Sequence, residues 1–82
     1  MSFEQAPSFR RVRWREGYSI EEVDAFVDRV TEALRSASPS IGPDDITGVT
    51  FTAVRLREGY SMQDVDEWLD QAESALRDHQ PD

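Results

Sequence analysis

The side chains able to do chemistry in this 82-residue chain are mostly ionic: seventeen Asp and Glu, nine Arg, one His and no Cys. Catalysis would need such groups gathered around a nucleophile, a general base or a metal. The sequence contains no histidine–nucleophile pair, no glycine-rich phosphate loop and no metal-ligand spacing, and "PDDITG" lacks the alternating oxygen ligands of a calcium loop. We therefore expect no enzymatic activity, no catalytic residue, no bound metal and no cofactor.

The ionic residues recur in a fixed phrase, Arg-Glu-Gly-Tyr-Ser, at residues 15–19 and again at residues 57–61. With an offset of 42, residues 9–36 match the second half of the chain at 14 of 28 positions. Chance would give one or two matches, so the pattern indicates an internal duplication. We predict one domain over residues 1–82, with repeat 1 at residues 9–36 and repeat 2 at residues 43–79.

A helix is predicted to follow the phrase in each repeat. Ser19 and Ser61 each precede an acidic residue by three positions, which is the spacing of a capping box. The apolar residues that follow are spaced 3, 4, 3, 4, as in the seam of a coiled coil. We expect this seam to form the core; it comprises Ile20, Val23, Val27, Val30, Leu34, Met62, Val65, Leu69, Ala72 and Leu76.

The segments before each helix, residues 9–15 and 51–57, are extended in character. They could pair as a short β-ribbon, but their irregular apolar spacing favours packed loops. The linker contains Gly42-Pro43 before "DDIT", which predicts one helical turn. The predicted fold is all-α: two loop-plus-helix repeats packed as a coiled-coil-like helix pair, with a short helical turn in the linker.

The repeated loop motif carries three further expectations. Gly17 and Gly59 precede the cap, where the chain bends sharply, so we expect a positive φ at both. Tyr18 and Tyr60 are expected to close the loop onto the start of the helix, with their rings buried.

Asp24 and Asp66 lie one helical turn beyond the caps. We expect them to bond loop amides or the arginines Arg13, Arg15, Arg55 and Arg57, and thereby to lock the loops.

The seam needs a partner, because one repeat cannot bury its own helix face. A 17-residue helix is roughly 25 Å long, and residues 36–50 span up to roughly 50 Å when extended. The linker is therefore long enough to lay the second helix parallel to the first within one chain. A homodimer of two tandem chains remains the alternative.

The repeated motif resembles that of a known protein family. The pattern F-x-x-V-R-x-R-E-G-Y-S-x-x-x-V-D is similar to the N-terminal domain of the DivIVA family of bacterial division and polar-growth proteins. "PDDITGVTF" resembles the short helix before that family's loop, and repeat 1 lacks it. The resemblance covers about residues 9–35 and 43–77.

The resemblance implies a cytoplasmic structural protein that dimerises in parallel and recruits other proteins, with loops that can touch a membrane. The long coiled coil of the family is absent here. We therefore predict a scaffold or protein–protein interaction module of the cytoplasm or the inner face of the membrane. Its expected partners are a second copy of itself or division and cell-envelope proteins.

The loops supply the candidate binding face, because both alternate Arg with an apolar residue. This face comprises Arg13, Trp14, Arg15, Arg55, Leu56 and Arg57. The alternative function is weak binding to a membrane surface through the Arg/Trp loop. The formal charge of −8 argues against nucleic-acid binding and also opposes adsorption to anionic lipid. We therefore favour Trp14 packed beneath its loop.

Overall fold

Two long helices start from one small sheet in the computed structural model, which describes residues 7–36 and 41–79. The elements, in chain order, are β1 (Arg11–Val12), β2 (Gly17–Tyr18), α1 (Ile20–Arg35), α2 (Pro43–Thr47), β3 (Ala53–Val54), β4 (Gly59–Tyr60) and α3 (Met62–His79). The helical turn predicted in the linker is confirmed as α2, with Pro43 at its first position and Gly48 at its C-cap.

The all-α prediction is wrong, because the structure combines three helices with a four-stranded antiparallel sheet. The strand order is β1-β4-β2-β3, so the pairs cross between repeats. Arg11 pairs with Tyr60, and Ala53 pairs with Tyr18. Each strand has only two residues. That is too few to show the alternation of apolar and polar residues from which a strand is predicted. The pairing satisfies backbone groups that a packed loop would leave without partners.

Aromatic rings of each repeat pack against the other repeat, in the same crossed manner as the strands. Phe9 of repeat 1 packs on Tyr60 and Trp68 of repeat 2, with ring centroids 5.1 and 6.1 Å apart. Phe51 of repeat 2 correspondingly packs on Tyr18 and on Phe26 of repeat 1, at 5.4 and 5.8 Å. The first part of each repeat thus rests on the helix of the other repeat.

The long helices run in the same direction, as the linker length predicted. Both begin directly after the adjacent central strands, where Tyr18 pairs with Tyr60. Their apolar faces meet in one core, in which Val23, Val30, Val65 and Ala72 are fully inaccessible to solvent. The chain therefore supplies its own second helix.

The remaining seam residues are buried to different degrees. Val27 and Leu76 are buried, and Ile20, Leu34, Met62 and Leu69 are half-buried. The linker adds Ile41 and Ile46 to the core, and α2 packs against α3. No counterpart of α2 is present in residues 7–10, the described residues that precede β1.

The motif glycines do not have a positive φ, so that prediction is wrong. They are needed because the strands approach closely. A Cβ on Gly17 would lie 2.8 Å from the Tyr60 carbonyl oxygen, and one on Gly59 would lie 2.9 Å from that of Tyr18. Both distances are too short for a carbon atom beside a backbone oxygen, so only glycine fits the crossing.

Candidate docking surface

Two large apolar side chains lie exposed at equivalent positions of the repeats. Trp14 is 74% exposed and Leu56 is 79% exposed. They belong to the connections β1–β2 and β3–β4, residues 13–16 and 55–58, which we call the loop end. The expectation that Trp14 packs beneath its loop is wrong. Phe9 and Phe51, with the rings they contact, already fill the core next to the sheet.

Trp14 is also the residue with an unusual backbone. Its φ of 71° is the only positive φ in the described part of the chain. This conformation brings the Cβ of an L-residue close to its own carbonyl oxygen and costs roughly 1–2 kcal/mol. A bulky residue held there, with its side chain in solvent, gains no burial in return. Strain of this kind is concentrated at functional sites.

The arginines of the loop end lie exposed around these two side chains. Glu58 accepts a hydrogen bond from Arg11 at 2.9 Å and lies 4.0 Å from Arg13, so the two loops are in contact. Within residues 7–36 and 41–79, Arg15 and Arg55 make no ion pair with a carboxylate. Arg15 and Arg55 are therefore available to an external anionic group.

The predicted pairing of these arginines with Asp24 and Asp66 is wrong. The two carboxylates instead accept hydrogen bonds from tyrosine hydroxyls of the opposite repeat. Tyr60 donates to Asp24 at 2.7 Å, and Tyr18 donates to Asp66 at 3.1 Å. Burial first, and then the hydrogen bond to the carboxylate, raise the pKa of both tyrosines. A neutral hydroxyl thus locks each strand to the other repeat's helix.

The helix starts provide a second pair of crossed contacts. Ser19 Oγ accepts from the Glu22 amide at 3.4 Å, which confirms the predicted serine cap. In a capping box the Glu22 carboxylate would also accept from the Ser19 amide, and that part of the prediction is wrong. The Ser19 amide donates instead to the Thr52 carbonyl oxygen, at 2.9 Å. The Glu22 carboxylate accepts from the Thr52 amide, also at 2.9 Å, and this bond lowers the pKa of Glu22.

The same contacts recur at α3. The Ser61 amide donates to the Arg10 carbonyl oxygen at 2.7 Å, and Asp64 accepts from the Arg10 amide at 2.9 Å. The Arg10 guanidinium adds two hydrogen bonds to Asp64, and these lower the pKa of that carboxyl. Sequence reasoning missed Arg10 and Thr52. Arg10 and Thr52 occupy equivalent positions of the two repeats. The contact they share is made by their backbone atoms, so the two positions do not need the same side chain.

Charge is distributed unevenly along the sequence. Six of the nine arginines lie in residues 10–15 and 55–57. The two long helices carry eleven carboxylates against three arginines. The loop end therefore presents a local positive surface although the chain is acidic.

Other kinds of site find no support in the described residues. Residues 7–36 and 41–79 contain no group of three or more His, Cys, Asp or Glu placed to hold a metal ion. Among the same residues, no helix combines the length and apolar character needed to cross a membrane. The loop end is therefore the surface on which a functional proposal can rest.

Comparison with known proteins adds no assignment. No protein-family model, curated protein or solved structure matches this chain.

Proposed function

We propose that this protein is a non-enzymatic interaction module that docks through its loop end, as an adaptor or scaffold similar to DivIVA N-terminal domains. The observation that carries the proposal is the exposure of Trp14 and Leu56 at matched positions, beside Arg15 and Arg55, which make no ion pair within the described residues. Tryptophan and arginine are the residues most often found as energetic anchors of protein interfaces. Division and cell-envelope proteins are the partners that the family resemblance suggests.

The crossed architecture supports this use of the loops. Backbone pairing, two tyrosine–aspartate bonds and two helix-start contacts fix the strands on either side of each loop. A fixed loop loses little conformational freedom on binding, which favours affinity. The fold therefore acts as a rigid mount for the loop end.

The test is a double substitution, Trp14→Ser with Leu56→Ser. Immobilised wild-type protein should enrich a defined set of division or envelope proteins from a bacterial lysate, and the double variant should lose that set at an unchanged melting temperature. Ala25→Ser, on an exposed part of α1, is the matched control and should behave as wild type. A steep loss of stability in the double variant would instead place these residues in the core and refute the proposal.

A membrane surface is the second candidate, and one observation favours it. Both loops carry an apolar residue between two arginines, a combination suited to the interface of an anionic bilayer. Sedimentation with phosphatidylglycerol-containing vesicles, compared with pure phosphatidylcholine vesicles, tests this function. Binding to anionic vesicles that fails in the double serine variant would support it. Equal sedimentation with neutral vesicles, or none with either, would reject it.

A further inference from the structure

A groove opens between α2 and α3 on the acidic side of the molecule. Its volume is about 270 Å³. The apolar part is formed by Ile46, Val49 and Leu69, and the polar rim includes Asp66, Asp70 and Glu73. A cavity of about 150 Å³ suffices for a benzene ring, so the groove has room for a large aromatic side chain. Its apolar wall and carboxylate rim suit an aromatic residue that is flanked by cations.

The loop end presents that combination. Trp14 lies between Arg13 and Arg15, and all three side chains are exposed. At 74% exposure, Trp14 does not occupy the groove of its own chain. The complementary surfaces therefore remain open on every copy of the protein.

We infer that the loop end of one copy docks into the α2–α3 groove of a second copy. Trp14 fills the groove, while Arg15 approaches the carboxylate of Asp70; neither of these two makes an ion pair within residues 7–36 and 41–79, whereas Glu73 already pairs with Arg77. The inference rests on the proposed function, because it names a partner for the same loop end.

The geometry of this contact makes the assembly open-ended. The two surfaces differ, so each copy can donate its loop end and receive another, and copies add head to tail. A second groove, of about 260 Å³, lies on the α1 side between Phe26 and Phe51, but its rim combines Glu22 with Arg29 and lacks a row of carboxylates. The cationic loop end therefore fits the α2–α3 groove, and this single preferred contact gives an unbranched row. The contact is small, so we expect weak association that strengthens with local concentration.

Two variants separate the two sides of the contact. The loop variant carries Trp14→Ser and Leu56→Ser, and the groove variant carries Asp70→Arg. Asp28→Arg is the matched control, because Asp28 is the equivalent of Asp70 on α1, is also exposed and does not line the α2–α3 groove. Circular dichroism checks that all of them fold.

The measurement is the weight-average mass by sedimentation velocity over a range of protein concentrations. Wild type and Asp28→Arg should grow beyond a dimer as concentration rises, and about 1 M salt should reverse this by shortening the Debye length to about 3 Å. The dissociation constant for self-association should rise at least roughly tenfold in the loop variant and in the groove variant. Mixed in equal amounts, they should form a one-to-one complex, because the groove variant still has a loop end and the loop variant still has a groove.

Several outcomes would overturn the inference. Wild type that stays monomeric would do so, as would a mixture of the two variants that stays monomeric. Association of Asp70→Arg equal to wild type would indicate a symmetric contact between loop ends. If the inference fails in any of these ways while the loop variant still loses lysate partners or vesicles, the proposed function stands alone.

Discussion

Trp14 is the residue at which stability and binding oppose each other. Glycine accepts φ near 71° without the clash of a Cβ. We predict that Trp14→Gly raises the free energy of unfolding by about 1 kcal/mol while it abolishes docking by the loop end. Urea denaturation and the binding assays above measure the two effects. Leu56→Gly is the control, since Leu56 has no positive φ to relieve; equal stabilisation of both variants would contradict the strain argument.

The motif glycines make the opposite prediction. Gly17→Ala and Gly59→Ala each place a methyl group under 3 Å from a backbone oxygen of the crossing strand. Forcing the strands apart should lower the free energy of unfolding by about 1–3 kcal/mol. Gly48→Ala is the internal control, because its nearest neighbour would lie 3.6 Å away. We expect it to be neutral or stabilising, and thermal unfolding of the three variants checks the order.

For individual residues, the sequence predicted which positions are important better than it predicted the contacts that those residues make. The repeat singled out Gly17, Gly59, Asp24 and Asp66, and the structure places each of them in a contact between the repeats. The contacts themselves differ, because each residue's partner is 36 to 48 positions away in the other repeat. A motif read within one repeat cannot reveal a partner supplied by the other.

The junctions between strands and helices should set the pH range of stability. Asp64 and Glu22 have lowered pKa values in the folded protein, so the stability they contribute is present above about pH 4 and is lost as the pH falls through the folded values. Tyr18 and Tyr60 have raised pKa values. Their contribution is present below about pH 10 and is lost as the pH rises through the folded values.

The free energy of unfolding, plotted against pH, should therefore show a plateau with a decline at each end. Tyr60→Phe should weaken the alkaline decline and cost about 1 kcal/mol on the plateau, since one hydrogen bond to Asp24 is lost. Asp64→Asn should weaken only the acidic decline. A Tyr60→Phe variant as stable as wild type on the plateau, with the same alkaline decline, would show that the tyrosine lock does not contribute.

The elements differed in how far sequence could predict them. The helices carry long apolar periodicity and serine caps, so α1 and α3 were predicted with the correct starts. The strands were missed because two residues of backbone pairing leave no side-chain period. Their existence depends on the second repeat, and a sheet that forms only between distant segments has no local signature.

The whole molecule should unfold as one unit, because neither repeat has a core of its own. Val30 is fully buried against residues of both repeats. Val30→Asp would bury an unpaired charge, at a cost of several kcal/mol. We predict loss of both helices together, with circular dichroism and the fluorescence of buried Trp68 changing in one transition. Leu56→Asp, at an exposed position, should leave that transition in place. Separate transitions for the two signals would mean that the repeats fold independently.

The parallel arrangement of the helices followed from the linker length, whereas the exposure of Trp14 was not predicted. Burial beneath the loop is the ordinary expectation for tryptophan, and sequence gives no measure of how completely other rings fill a core. Here Phe9, Tyr60 and Trp68 occupy that space. The exposed face that we propose for binding thus became visible only once the packing of the neighbouring rings was known.

The crossed strand order also constrains how the protein is made. Arg11 must wait for Tyr60 before β1 can pair. At a translation rate of roughly 5–20 residues per second, that delay is about 2–10 s, to which the passage through the ribosomal tunnel adds. During this interval the apolar stripe of α1 has no partner helix to cover it. A nascent chain of this design is therefore exposed to chaperones and proteases until α3, which follows the last strand, has emerged.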